Sequence, residues 1–117
     1  MGDYSKELYE MHAGFCKFMG NAKRIEILFM LGEEEHCVEN MAHKMGVSIP
    51  NVSQHLAIMR DKGVVESRRA GTKVYYRLAN PKTLQACILM REAMIERMEA
   101  CATKVTRRIT NESSSRS

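Results

Sequence analysis

The sequence predicts a mainly α-helical domain with a small β-hairpin, arranged as a helix-turn-helix followed by a wing. Three observations carry that expectation. Two short helical segments meet at Gly46, and the second of them alternates core positions with small polar ones. Two runs rich in Val and Tyr then follow, joined by Ala70-Gly71-Thr72, as in a hairpin. A long closing helix carries one apolar seam that so small a domain cannot bury by itself, which points to pairing with another helix.

Taken in order, the first helix spans 4–19, with Leu8, Met11, Phe15, Phe18 and Met19 at helical spacing and Gly20 at its end. Asn21 caps a second helix reaching about Leu31, in which Ile25, Leu28 and Phe29 form the inward stripe and Gly32 supplies the stop. The acidic loop Glu33 to Glu35 leads to a third helix over 37–45, with Val38, Met41, Ala42 and Met45 on one side. Ser48 caps the fourth, 49–62, which Gly63 terminates. The hairpin takes 64–69 and 73–78, and Pro81 then sits in the first turn of the last helix. Its seam of Leu84, Cys87, Met94, Met98, Cys101 and Val105 is broken only by Arg91. Residues 1–110 therefore form one DNA-binding and dimerisation domain, and the polar, Ser-rich residues 111–117 are expected to be a disordered tail.

Composition narrows the function. A chain of 117 residues with 44% hydrophobic residues fills one small core, and a partner subunit would add to it. No apolar stretch reaches the length of a membrane span and no basic-then-apolar leader is present, so the expectation is a soluble cytoplasmic protein with no membrane partner. Lys and Arg total 18 against 14 Asp and Glu, a modest positive excess of +4 that favours a polyanion only weakly. Cys16, Cys37, Cys87 and Cys101 lack C-x-x-C spacing, so reduced thiols are expected rather than a disulfide framework. The ten methionines fall at helical spacing and describe a soft core. No nucleophile with a nearby base, Gly-rich phosphate loop or complete metal triad is found, so the chain is not expected to be an enzyme.

The fourth helix must do two jobs. Val52, Leu56 and Met59 share one face, while Pro50, Gln54 and Ala57 lie opposite with Asn51 and Ser53 on the flanks. Small side chains let a helix sit deep in a major groove, where Ser48, Asn51, Ser53, Gln54 and His55 meet base edges or phosphates. Pro50 costs nothing there, because the first helical turn has no acceptor for its missing N–H. Arg68, Arg69, Lys73 and Arg77 make the hairpin a basic tip suited to the DNA backbone. The partner so predicted is double-stranded operator DNA. The competing class is a winged-helix module for dimerisation or protein contact with no ligand switch, which would bind DNA with little dependence on sequence.

The stretch NAKRIEILFMLGEEEHCVENMAHKMGVSIPNVSQHLAIMRDKGVVESRRAGTKVYYRL resembles the ArsR/SmtB family of winged-helix repressors, most specifically in VSQHLAIMRDKGVVESRRAGTKVYYRL. With the flanking helices the likeness covers about residues 8–98. It implies a homodimer built from the first and last helices, a DNA-reading helix from Ser48, a wing at Arg68 to Lys73, and release from the operator when an inducer binds.

The family's sensing sites differ among its members. EHCVENMA resembles its metal-sensing stretch, with Cys37 at the first cysteine, Glu39 in place of the second and His36 as a substitute ligand. The family's zinc site between last helices maps onto Asn80, Lys82, Ala93 and Glu96, three of which cannot ligate zinc, so no site of that type is expected. The family's thiol sensors pair a cysteine of the second helix with one of the last, and Phe29 occupies the former place. Cys87 and Cys101 remain, two heptads apart on one seam, with Cys87 expected near the dimer axis. His12 and Cys16, at i and i+4, face one side of the first helix, and packing is the simpler role for Cys16. The inducer-sensing candidates are thus Cys37, Cys87, Cys101 and Cys16. Three roles stay open: helix packing, a soft metal or metalloid held between subunits, or redox and sulfur-species sensing. Any metal or metalloid so bound is not needed for folding.

Overall fold

The computed structural model describes residues 5–115, with side chains described through Thr110. Five helices and three strands follow one another as α1 (Lys6–Met19), α2 (Ala22–Glu33), β1 (His36–Cys37), α3 (Val38–Met45), α4 (Ile49–Asp61), β2 (Val65–Ala70), β3 (Lys73–Leu78) and α5 (Pro81–Ser115). Tyr4, the expected first residue of the opening helix, lies outside the described residues. By contact density the chain divides into two units, residues 1–84 and 85–117.

Side-chain oxygens start three of the helices, as their residue types predict. Ser5 Oγ accepts from the Leu8 N–H at 3.4 Å, Asn21 Oδ1 from Lys23 and Arg24 at 3.0 and 3.2 Å, and Ser48 Oγ from Asn51 at 3.2 Å. Gly46 closes α3 at φ 68°, and the Val47 N–H reaches back to the Ala42 carbonyl at 3.1 Å. Only a residue tolerant of the left-handed region makes that tight turn cheaply, so Gly46 sets the angle between α3 and α4.

The core of the first unit is the meeting of α2, α3, α4 and the sheet. Ile27, Leu28, Met41, Val52, Leu56 and Met59 are all fully buried, with Val64, Val65 and Tyr76 joining from the hairpin. The inward row of α4 is the one the sequence predicts. That of α2 is not: Ile27, Leu28 and Leu31 are buried, whereas Ile25 and Phe29 are half-buried. Periodicity fixes the spacing of a stripe but leaves its phase open when apolar residues crowd as in IEILFML. Gly32, read as a helix stop, lies inside α2 instead. A Cβ there would overlap the Leu84 side chain, so the glycine serves close packing against the start of α5.

The sheet holds one strand more than a hairpin. His36 and Cys37 form β1, so α3 begins at Val38, one residue later than expected. The order is β1-β3-β2, both pairings antiparallel, with His36 opposite Tyr76 and Cys37 opposite Tyr75. Two residues flanked by an acidic loop and a helix carry no alternation by which a strand could be recognised.

In α1 only Met19 is buried; Leu8, Met11 and Phe15 of the expected stripe are exposed in the single chain. α5 is about 50 Å long at the α-helical rise. Its Met94, Met98 and Val105 are 61%, 68% and 55% exposed, whereas Leu84 and Cys87 at the start of the seam are half-buried. The helix also runs into the segment 111–117 expected to be a disordered tail; Arg116 and Ser117 lie outside the described residues.

Candidate nucleic-acid interface

The outer face of α4 is an open groove lined by Ser48, Pro50, Asn51, Ser53, Gln54 and Ala57. Helical spacing places Pro50, Gln54 and Ala57 opposite the inner face of Val52, Leu56 and Met59, with Asn51 and Ser53 on the flanks and Ser48 as the cap. Ser48 caps the helix with its side chain, so its hydroxyl oxygen is already engaged with the Asn51 N–H. Gln54 is exposed, and Asn51 turns its Oδ1 into the protein, where it is buried with no hydrogen-bond partner among the described residues.

His55 is placed differently. It stands three residues beyond Val52, on the flank of the inner face, and its Nδ1 accepts from Arg24 Nε of α2 at 3.4 Å. Arg24 in turn donates to the Phe18 carbonyl at 2.8 Å and lies 4.4 Å over the Phe18 ring, so one guanidinium ties the end of α1 to α2 and α4. His55 thus sits beside α2 and does not line the groove. Partial burial, then the positive charges of Arg24 and Lys23, hold its pKa below the ordinary 6.5. A depressed imidazole pKa means that the unfolded chain takes up the proton first as pH falls. The stability involved is present above the unfolded value and is lost as pH drops through it towards the folded one. Acidification from about pH 7.5 to 5.5 should therefore lower the melting temperature less in His55→Asn than in the wild type. An equal drop in both proteins would show that His55 plays no part in it.

The wing splits its charges between two uses. Arg68, expected to meet the DNA backbone, has its Nε at 2.9 and 2.7 Å from the two carboxylate oxygens of Glu35, and its guanidinium lies 5.0 Å over the Tyr75 ring. Arg77 pairs with Glu66 at 3.0 Å. Arg69 and Lys73 are exposed and have no ion-pair or side-chain hydrogen-bond partner among the described residues. Arg60, near the end of α4, donates to Ser67 Oγ at 3.3 Å and adds a guanidinium at the hairpin base. The Glu35–Arg68 pairing joins residues 33 apart in the chain, so no local spacing announces it.

Residues 21–67, from the cap of α2 into β2, match the bacterial regulatory protein, arsR family. Among solved structures, Rv0081 of Mycobacterium tuberculosis superposes with a TM-score of 0.73 at 30% identity, covering 81% of this chain and 96% of that one. As sequences the two are 33% identical over 91 residues, 77% of this chain and 80% of that transcriptional regulator. The chain belongs to the arsR family. The transcriptional regulator KmtR of M. tuberculosis is 38% identical over 72 residues, 62% of this chain, and the match spans little more than half of that relative, 55%. Mb0332 of Mycobacterium bovis, described as a homodimeric winged helix-turn-helix DNA-binding domain, aligns with a TM-score of 0.69 at 30% identity over 82% of this chain and 92% of that one.

In this arsR-family chain the thiols lie in contrasting surroundings. Cys37 is buried at the start of α3 and makes no capping bond with its side chain, Cys87 is half-buried, and Cys16 and Cys101 are exposed. His36, the substitute ligand, is 3% exposed, with Nδ1 at 2.8 Å from the Asn40 amide nitrogen and Nε2 at 4.0 Å from Glu34. Its ring thus has two local contacts, to Asn40 and Glu34. Among the described residues no group of three His, Cys, Asp or Glu side chains is placed to hold a metal ion. No helix among them is long and apolar enough to cross a membrane.

Proposed function

We propose that the chain is a homodimeric, sequence-specific DNA-binding repressor, released from its operator by an inducer sensed through cysteine thiols. The observation that carries the DNA reading is the exposed outer face of α4, lined by small and polar side chains, on a helix whose opposite face is the centre of the core. A rigid helix presenting Asn51, Ser53 and Gln54 has the chemistry to read base edges in the major groove. His55 contributes by holding α4 against α2 rather than by touching DNA.

Dimerisation is supported by the exposed apolar residues of α1 and α5, each helix considered by itself. Met11 is 72% exposed and Met98 68%, more apolar surface than single helices of a soluble monomer leave in water. The homodimeric state of the relative Mb0332 agrees.

The thiols are the candidates for the signal. Cys16 and Cys101 are exposed in the single chain, and Cys87 and Cys101 stand on the seam that a second copy would cover, where an oxidant or sulfur species would have to enter between the copies. A soft metal or metalloid would have to draw ligands from both copies, since one copy offers no cluster of three among its described residues. The test is operator binding by the reduced protein at fixed salt, titrated with arsenite, cadmium, zinc and a persulfide donor beside a Cys87→Ser/Cys101→Ser variant. Release by one agent that the variant ignores is the expected outcome. Tight binding that none of them disturbs would overturn the thiol switch.

A further inference from the structure

We infer that Arg68 positions the wing, clamped by Glu35 and Tyr75, and that Arg69 and Lys73 alone carry the wing's charge to the phosphate backbone. The second half rests on the DNA-binding reading above; the first stands on the geometry of the unbound domain.

In the sheet order β1-β3-β2, Arg68 lies directly opposite Tyr75, and Tyr75 lies opposite Cys37. The Arg68 side chain crosses over the Tyr75 ring and reaches Glu35, the residue before β1, so one guanidinium spans all three strands. It does so where the core runs out. Val65 and Tyr76 are buried at the base of the hairpin, whereas residues 68–73 are all exposed. A two-stranded ribbon without core contacts twists and bends freely, and its tip then has no fixed direction. An exposed ion pair adds little to global stability, but the guanidinium held by a carboxylate and an aromatic face together fixes a direction.

The pairing on this face shows which charges are already spent. Glu66 stands opposite Arg77 and pairs with it, so both guanidinium groups on this face, Arg68 and Arg77, already have a carboxylate. Arg69 points to the other face, and Lys73 sits at the turn beside Thr72. Neither has a carboxylate to give up, so each can displace a counterion from DNA without first breaking a bond.

The experiment compares the full-length wild type with Arg68→Gln, Glu35→Gln, Arg69→Gln and Lys73→Gln in two measurements: the salt dependence of operator affinity, and hydrogen exchange of the hairpin amides without DNA. Arg69→Gln and Lys73→Gln should each lower the slope of log affinity against log salt by about 0.9 per lost phosphate contact, about 1.8 for a dimer that carries the change in both copies, and leave exchange unchanged. Arg68→Gln and Glu35→Gln should both speed exchange over residues 68–75 and weaken operator binding at an unchanged slope. Loss of about 1.8 slope units in Arg68→Gln, with exchange unaltered, would overturn the assignment by making Arg68 a phosphate contact in both copies. If the wild type shows no preference for its operator, the functional reading fails on its own; unchanged exchange in Arg68→Gln and Glu35→Gln then rejects the clamp separately, and faster exchange upholds it.

Discussion

Gln54→Ala should lower the preference for operator over random DNA by about 5- to 150-fold for each half-site, the equivalent of the roughly 1–3 kcal/mol that one good base contact contributes to discrimination, and by about the square of that factor for a dimer on two half-sites. Gln54 lines the α4 groove, is exposed and gives its amide to no other side chain among the described residues, so the change removes a donor and an acceptor from the surface and little else. Binding to random DNA at low salt should persist, because that term belongs to basic residues and not to the groove. Competition of a labelled operator fragment against unlabelled operator and random duplexes gives the ratio directly. A ratio unchanged by Gln54→Ala would remove the residue from the reading surface.

The inner face of the same helix should show the opposite pattern. Leu56 is fully buried between Val52 and Met59, and Leu56→Ala should cost about 2–5 kcal/mol through lost burial and the cavity left behind. For a domain whose whole stability is of order 5–15 kcal/mol, that is a large share. Urea unfolding should show a much lower midpoint for Leu56→Ala, while Gln54→Ala, two residues away, stays within about 0.5 kcal/mol of the wild type. Equal midpoints for Leu56→Ala and the wild type would contradict the placement of α4 at the centre of the core.

The two faces of α4 were legible in the sequence because helical spacing is a local property, and Val52, Leu56 and Met59 admit only one phase. The hairpin and the turn at Gly46 were legible for the same reason. What escaped was set by partners distant in the chain. Arg68 looks like any basic wing residue until Glu35, 33 positions earlier, is brought beside it. His55 looks like part of the groove until Arg24, 31 positions earlier, takes its ring nitrogen. β1 is too short to show alternation, and exists because β3 offers it an edge. The apolar stripe of α1 was legible from its spacing, while the exposure of Leu8, Met11 and Phe15 in the single chain was not, since periodicity does not say whether the covering surface belongs to the same copy.

If inducer and operator share one conformational equilibrium, their effects are reciprocal: an agent that weakens operator binding by a given factor is itself bound more weakly by the same factor on DNA, typically through 1–3 kcal/mol of coupling. In the repressor proposed above, the relative orientation of two recognition helices would be the quantity switched, because both half-sites must be met at once.

The central claim is that a dimer of this chain reads DNA with two copies of the α4 groove. Hydroxyl-radical footprinting on the DNA upstream of its own gene, with random-sequence competitor present, tests it most directly. Two protected patches on one side of the duplex, about one helical turn of 10–10.5 base pairs apart and resistant to the competitor, are the predicted result. Uniform protection that random DNA removes at equal concentration would contradict it.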